Sequence, residues 1–248
     1  MKALITGASS GIGRDIAAEL SKRGFDLVLV ARRTNRLEEL KNTLDTEVTV
    51  ISADLSNAEN CIKLYEQCGD IDILVNNAGF GVFGEFDETD LGRELEMIDV
   101  NIKAVHILTK LFLRDFKVKN SGRILNVASS AAFFPGPVFS SYYASKAYVY
   151  RLSEAIYREL RHDKSKVSIS VLCPGPVSTE FGDVADVHFS APGLTSKYVA
   201  EYAVKKMLAG KHVIVPGFLM KFTRVLSKLL PDRFSSVFVW YIQKKKCG

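Results

Sequence analysis

Tyr142 and Lys146 stand four residues apart, and Ser129 precedes the tyrosine by thirteen. Side chains at i and i+4 of a helix share one face, with Cβ atoms about 5 to 6 Å apart. A phenol and an ammonium at this spacing therefore meet in one small volume. A fixed positive charge beside a phenol favours phenolate and draws its pKa down from about 10 toward working pH. The pair reads as a general acid/base. Tyr and Lys also fall at this spacing on ordinary solvated helix faces, so its meaning rests on what the rest of the chain places beside it. Tyr143 and Ser130 are adjacent competitors for the same roles.

Seven short apolar runs, at 3–6, 27–30, 48–51, 71–75, 123–127, 168–172 and 212–215, alternate with longer segments of helical period. Runs without polar alternation suit strands covered on both faces, which predicts an α/β fold with a doubly wound parallel sheet of about seven strands. The 248 residues, 47% of them hydrophobic, suit one large domain. Residues 1–216 are expected to form its body, and residues 217–248 a basic, amphipathic C-terminal extension of the same domain. The stretch from Phe181 to Thr195, with Gly182, Pro192 and Gly193, has no clear period and reads as a mobile loop.

The chain opens MKALITG, a strand-like run that leaves no room for a secretory signal, so a cytoplasmic protein is expected. Cys61, Cys68, Cys173 and Cys247 lack paired metal-ligand spacing, which predicts reduced thiols and no metal site. Charge is uneven. Residues 217–248 hold seven Lys or Arg against one Asp, whereas residues 1–216 hold 26 basic against 27 acidic residues. A neutral body argues against a nucleic-acid partner. Within the tail, Phe222, Val225, Leu226, Leu229 and Leu230 recur at helical spacing among Lys221, Arg224 and Lys228; Pro231 interrupts, and an apolar run ends in Lys244-Lys245-Lys246. Such a segment either lies peripherally on an anionic membrane surface or, the favoured expectation, packs over the substrate cleft or a partner subunit.

Directly after the first run comes TGASSGIG, in which Gly7, Gly11 and Gly13 open the amphipathic stretch from Ile12 to Leu20. A glycine turn between strand and helix lets backbone approach a pyrophosphate, whose charge the helix N-terminus favours. Ser9 and Ser10 add hydroxyl donors. Where an NAD enzyme places a carboxylate for the ribose, the chain reads Val30-Ala31-Arg32-Arg33. Room at Ala31 and a forked cation at Arg32, followed by Arg33, suit a 2′-phosphate and hence NADP(H) over NAD(H). Asp54, followed by Leu55, either accepts a hydrogen bond from the adenine amino group or caps the helix starting near Ser56. Asn76-Asn77-Ala78-Gly79 supplies two amides and two small residues that let backbone approach a ligand and brace neighbouring strands.

Together these segments resemble the short-chain dehydrogenase/reductase family in its common branch. TGASSGIG is similar to its TGxxxGxG, Asn76 to Gly79 to its fourth-strand motif, and Asn101 to its helix asparagine. Ser129 with Tyr142-x-x-x-Lys146 is similar to its active site, and Pro174-Gly175-Pro176-Val177-Ser178-Thr179 to the motif after its sixth strand. The resemblance implies a Rossmann-type sheet and a hydride exchanged between NADP(H) and a carbonyl or alcohol. It selects Tyr142 over Tyr143 and Ser129 over Ser130. It implies that Tyr142 protonates the carbonyl oxygen, that Ser129 hydrogen-bonds the same oxygen, and that Lys146 lowers the Tyr142 pKa and holds the nicotinamide ribose. Asn101 would bind a water joining Lys146 to solvent, and Val177 and Thr179 would fix the carboxamide. A homodimer or homotetramer follows by the same analogy. The alternative is a non-catalytic NADP-binding sensor or scaffold, whose signature, loss of the Tyr, Lys or Ser, is missing. His106 and His162 lie off the motif positions and read as surface or satisfied histidines.

Phe80, Phe83, Phe133, Phe134, Phe139, Phe181 and Phe189 follow strand ends, where an open α/β sheet binds its ligand. They suggest an apolar ketone or aldehyde as substrate, or else a core or subunit contact.

Overall fold

The first strand, β1 (Lys2–Thr6), is buried on both faces. Successive side chains of a strand point to opposite faces, so Ala3 and Ile5 enter one core while Leu4 enters another. The computed structural model describes residues 1–185 and 193–244. Its strands are β1, β2 (Asp26–Ala31), β3 (Val48–Ser52), β4 (Ile73–Asn76), β5 (Arg123–Val127), β6 (Ser168–Leu172), a two-residue pair β7 (Val177–Ser178) and β8 (Leu194–Thr195), and β9 (Val213–Ile214). All but the β7–β8 pair form one sheet in the order 3-2-1-4-5-6-9, with every neighbour parallel. The fold is the expected doubly wound α/β architecture of Rossmann type.

On one face lie α1 (Gly11–Ser21) and α2 (Thr34–Lys41), whose Ile16, Leu20 and Leu37 join Ala3 and Ile5. On the other lies α3 (Ala58–Cys68), whose Leu64 joins Leu4. Next, α4 (Leu91–Ile98) runs through a π-helical turn, Asp99–Ala104, into α5 (Val105–Lys119), and α6 (Ser140–His162) follows β5. Helices α5 and α6 cover the α3 face with Phe112, Phe116, Ile156 and Leu160. After β7 comes α7 (Phe181–Ala185), and α8 (Ser196–Leu208) returns to the first face with Val199, Ala203 and Met207 against α1. The chain ends in α9 (Phe218–Leu226) and α10 (Asp232–Lys244). Among the described residues no helix is long and apolar enough to cross a membrane.

The expected mobile loop from Phe181 to Thr195 is corrected at both ends, where it opens as α7 and closes as β8; residues 186–192, including Phe189, lie outside the described residues. The expected capping of the third helix by Asp54 is also corrected. Asn57 is the cap, accepting from Glu59 N at 2.7 Å, while Asp54 Oδ1 accepts from Ser56 N (3.1 Å) and Ser56 Oγ (2.9 Å) in a turn just before it.

Strand order reverses between β1 and β4, and a crevice opens at such a reversal. Side-chain amides lace the layers beside it. Asn76 and Asn126 are register partners, and Asn76 Nδ2 donates to Asn126 Oδ1 at 2.9 Å and to Thr109 Oγ1 at 3.0 Å. Asn126 Nδ2 donates in turn to Ser153 Oγ at 3.0 Å, which ties β5 to α6. Asn126 is fully buried, and a buried polar group stripped of its partner costs about 1 to 3 kcal/mol. Asn126→Ala is expected to lower the unfolding free energy by about 2 to 3 kcal/mol, measured by urea denaturation; a change under about 0.5 kcal/mol would show that the network does not hold these layers together.

Candidate functional site

A cavity of about 440 Å³ opens at the C-terminal ends of the central strands. Its floor is the glycine turn between β1 and α1. Gly7 and Gly11 take positive φ values of 65° and 55°, which suit a residue without Cβ. A Cβ at Gly13 would fall 2.3 Å from Asn77 Nδ2 and 2.4 Å from Gly7 O, so helix and strand pack backbone to backbone here. Asn77 Nδ2 donates to Thr6 O (3.0 Å) and Gly7 O (3.1 Å), while Thr6 Oγ1 accepts from the backbone of Asn77 and Ala78. Gly7, Ser9, Ser10, Gly11, Ile12, Asp54, Leu55, Asn77, Ala78 and Gly79 all line the cavity. Gly13 is buried behind the turn.

The two arginines after β2 part company. Arg32, expected to face the nucleotide phosphate, borders the cavity, but its guanidinium donates to Glu96 Oε1 at 2.9 Å. Arg33 turns to the glycine loop, donating to Ser9 Oγ (3.1 Å) and Ser10 Oγ (3.0 Å). Its other arm pairs with Glu180 at 3.0 Å, which also accepts from Arg36. These cations hold the Glu180 carboxyl below its ordinary pKa. An open cradle of glycine backbone, two hydroxyls and a guanidinium fits the phosphates of a dinucleotide. Thr179 packs against the same turn, since a Cβ at Gly11 would lie 3.0 Å from its Cγ2, and its Oγ1 accepts from Phe181 N at 3.3 Å. Val177 lines the wall beside it.

At the other end, α6 brings Tyr142 and Lys146 onto its buried face, 7% and 5% exposed. Ser129 stands beside Tyr142 on the cavity wall, where its hydroxyl pulls the phenol pKa down. Ser129 accepts from Ala131 N at 3.1 Å, which fixes it at the start of the 3₁₀ turn Ser130–Phe133. Lys146 Nζ lies 5.8 Å from the Tyr142 ring centre and donates to Val127 O at 3.1 Å. The expected lowering of the phenol pKa is reversed. Loss of water from this enclosed site pushes Tyr142 well above its ordinary value, against the opposing pull of the Ser129 hydroxyl, and pushes Lys146 down to about 8. Desolvation disfavours both charged forms.

Asn101 is fully buried in the π-helical turn. Its Oδ1 accepts from Phe80 N (3.1 Å), and its Nδ2 donates to Phe80 O (2.9 Å) and Ser145 Oγ (3.0 Å), joining the strand-4 loop to α6. Gly79 makes the approach feasible, because a Cβ there would lie 2.7 Å from Asn101 Oδ1 and 3.2 Å from Lys146 Nζ.

Phe80, Phe139, Phe181, Tyr142 and Tyr143 give the cavity an aromatic wall, with Phe139 stacked on Tyr142 at 4.5 Å. Phe83 backs it, at 5.5 Å from Phe139. Phe133 instead packs on Tyr150, and Phe134 is absent from the wall. Sequence reasoning missed Gln243. This buried residue of α10 reaches the cavity and donates from Nε2 to Tyr143 Oη at 2.6 Å. A period of four through Ser235, Val239 and Gln243, the buried positions of α10, was the available signal. His106 bonds Tyr148 Oη at 2.7 Å on the surface and His162 is exposed; both lie off the cavity wall. Among the described residues no His, Cys, Asp and Glu cluster could hold a metal ion.

The family model described as short chain dehydrogenase matches residues 1–186. The chain is 37% identical over 185 residues to 17-beta-hydroxysteroid dehydrogenase type 3 of Mus musculus, covering 71% of this chain and 60% of that protein. A short chain dehydrogenase/reductase from Burkholderia phymatum in complex with NAD superposes with a TM-score of 0.82 at 28% identity, covering 91% of this chain and 92% of that one. A short-chain dehydrogenase from Sphingobium yanoikuyae in complex with NADPH superposes at 0.81 with 27% identity, covering 93% and 96%.

Burial of Lys146 has a thermodynamic sign. Its folded pKa of about 8 lies below the ordinary 10.5, so between these values the unfolded chain binds more protons and stability rises with pH; below about pH 8 the full penalty applies. Lys146→Met removes that penalty. The variant is expected to exceed the parent in stability by about 2 to 3 kcal/mol at neutral pH, with the difference closing as pH climbs through this window. Urea unfolding of both proteins across neutral and alkaline pH checks it; a difference independent of pH would rule the account out.

Proposed function

The chain belongs to the short-chain dehydrogenase family, and on that premise we propose that it is an NADP(H)-dependent oxidoreductase acting on a fairly apolar ketone or aldehyde, or on the matching alcohol. The observation that carries this reading is the meeting of Ser129, Tyr142 and Lys146 on the wall of the cavity that also reaches the glycine turn and Arg33. When bound, the dinucleotide supplies or accepts the hydride.

The remaining work falls to this chain's own side chains. With its pKa raised, Tyr142 stays a protonated phenol at neutral pH and acts as the acid toward a carbonyl oxygen. Ser129 donates to the same oxygen and keeps it within reach of the phenol. Lys146, poised near pH 8, takes up and returns protons close to working pH and holds ribose hydroxyls. Asn101 positions Lys146 by clamping the Phe80 backbone to α6. Val177 and Thr179 seat the nicotinamide end. The aromatic wall favours an apolar substrate body, and the Gln243–Tyr143 pair gives that wall one polar spot, suited to a substrate with a second oxygen. The steroid dehydrogenase among the relatives agrees with a bulky apolar substrate.

Two experiments test this reading. Tyr142→Phe is expected to keep NADPH affinity within about threefold while turnover falls by about 10² to 10⁴, measured with a panel of ketones and aldehydes; undiminished turnover removes the proposed acid. Arg33→Ala is expected to weaken NADPH binding by about ten- to a hundredfold and NADH binding far less, with Arg32→Ala the milder of the two. Equal losses for both cofactors would sink the phosphate role.

A further inference from the structure

Residues 218–242 contribute 13 of the 22 exposed large apolar side chains among the described residues, though they make up about a tenth of the chain. Isolated exposed apolar side chains are ordinary, but a contiguous set marks an interaction surface. These fall in stripes. On α9, Phe218, Phe222 and Val225 follow helical spacing at 85%, 58% and 59% exposure. On α10, Phe234, Phe238 and Tyr241 repeat the pattern at 66%, 68% and 61%.

The opposite sides of both helices are engaged with the body. Met220 sits over Gly175, where a Cβ would meet its Cγ at 2.8 Å, and Arg224 donates to Tyr150 Oη at 3.1 Å. Ser235, Val239 and Gln243 face inward along α10. The outward stripes are therefore held in place by packing behind them, and they project from a folded platform.

Charge selects the occupant. Residues 217–248 carry seven Lys or Arg and one Asp, and Lys221 and Lys228 are exposed in and just beyond α9. In a two-fold contact between copies, the same patch meets itself, which would press this positive charge against its own image. Anionic lipid headgroups are complementary to it, and an apolar stripe rimmed by lysines is the pattern of helices lying in a bilayer interface. We propose that α9 and α10 dock the protein peripherally on an anionic bilayer, with the phenylalanine stripes in the acyl boundary and the lysines at the phosphates. This surface is independent of the redox reading.

The test is flotation of the full chain with vesicles of phosphatidylcholine alone or mixed with phosphatidylglycerol. Binding to the anionic vesicles is expected to exceed binding to neutral ones by about tenfold and to weaken as salt rises. A Phe222→Ser, Phe238→Ser double variant is expected to lose binding by about tenfold, and a Lys221→Glu, Lys228→Glu double variant by a similar factor, each with an unchanged thermal unfolding midpoint. Because all four side chains are exposed, the second pair stands as an independent check should the first impair folding. The proposal is overturned if the parent protein stays with the aqueous fraction, or if both variants float as it does. It is also overturned if sedimentation velocity shows an oligomer that the serine pair dissociates while no vesicle binds, since the face would then belong to another copy.

Discussion

Everything in the site depends on keeping the ends of β1 and β4 together at the place where the strand order reverses. Helices leave that point toward opposite faces, so the crevice that admits a ligand also deprives the strand ends of cover. Thr6 and Asn77 supply the missing bonds, with one hydroxyl accepting two backbone amides and one side-chain amide holding two carbonyls. That arrangement brings Asn77 so close to α1 that position 13 must lack a Cβ. The glycines of the turn thus serve strand closure as much as ligand approach.

The chemical end of the cavity is governed by loss of water. Tyr142 and Lys146 share a buried helix face, and burial drives their pKa values apart, the lysine down and the phenol up, so that each is pushed toward its neutral form. The neutral phenol is the form that donates a proton. The Val127 carbonyl and the Asn101 clamp hold this pair without adding a carboxylate, which would have kept the lysine charged and strongly solvated.

Elements whose signals are local were legible in the chain. Apolar runs of four or five residues stand as strands, and a glycine-rich turn after the first of them carries its meaning in the seven positions from Gly7 to Gly13. Features that depend on distant partners were not. The π-helical turn at Asn101 answers to the backbone of Phe80, and the two arginines after β2 are told apart only by Glu96 and Glu180, each far along the chain. Spacing placed Tyr142 beside Lys146 but said nothing of how much water reaches them, so the direction of the phenol shift was misjudged. Gln243 joins the wall from a hundred residues beyond Tyr143, and only its alignment with Ser235 and Val239 hinted at an inner stripe.

Helix α10 buries one narrow seam against the body, Ser235, Val239 and Gln243, with the Lys244–Glu85 ion pair beside its end, and that seam ends in the cavity wall. A wall borne by a terminal helix with few buried side chains opens locally at lower free energy than the whole chain unfolds. Affinity for a molecule that needs the wall is then the intrinsic affinity multiplied by the fraction of time the helix is seated. Whatever settles on the outer side of α10 raises that fraction, so an event on the surface is felt in the cavity with no rearrangement of Tyr142, Lys146 or Ser129.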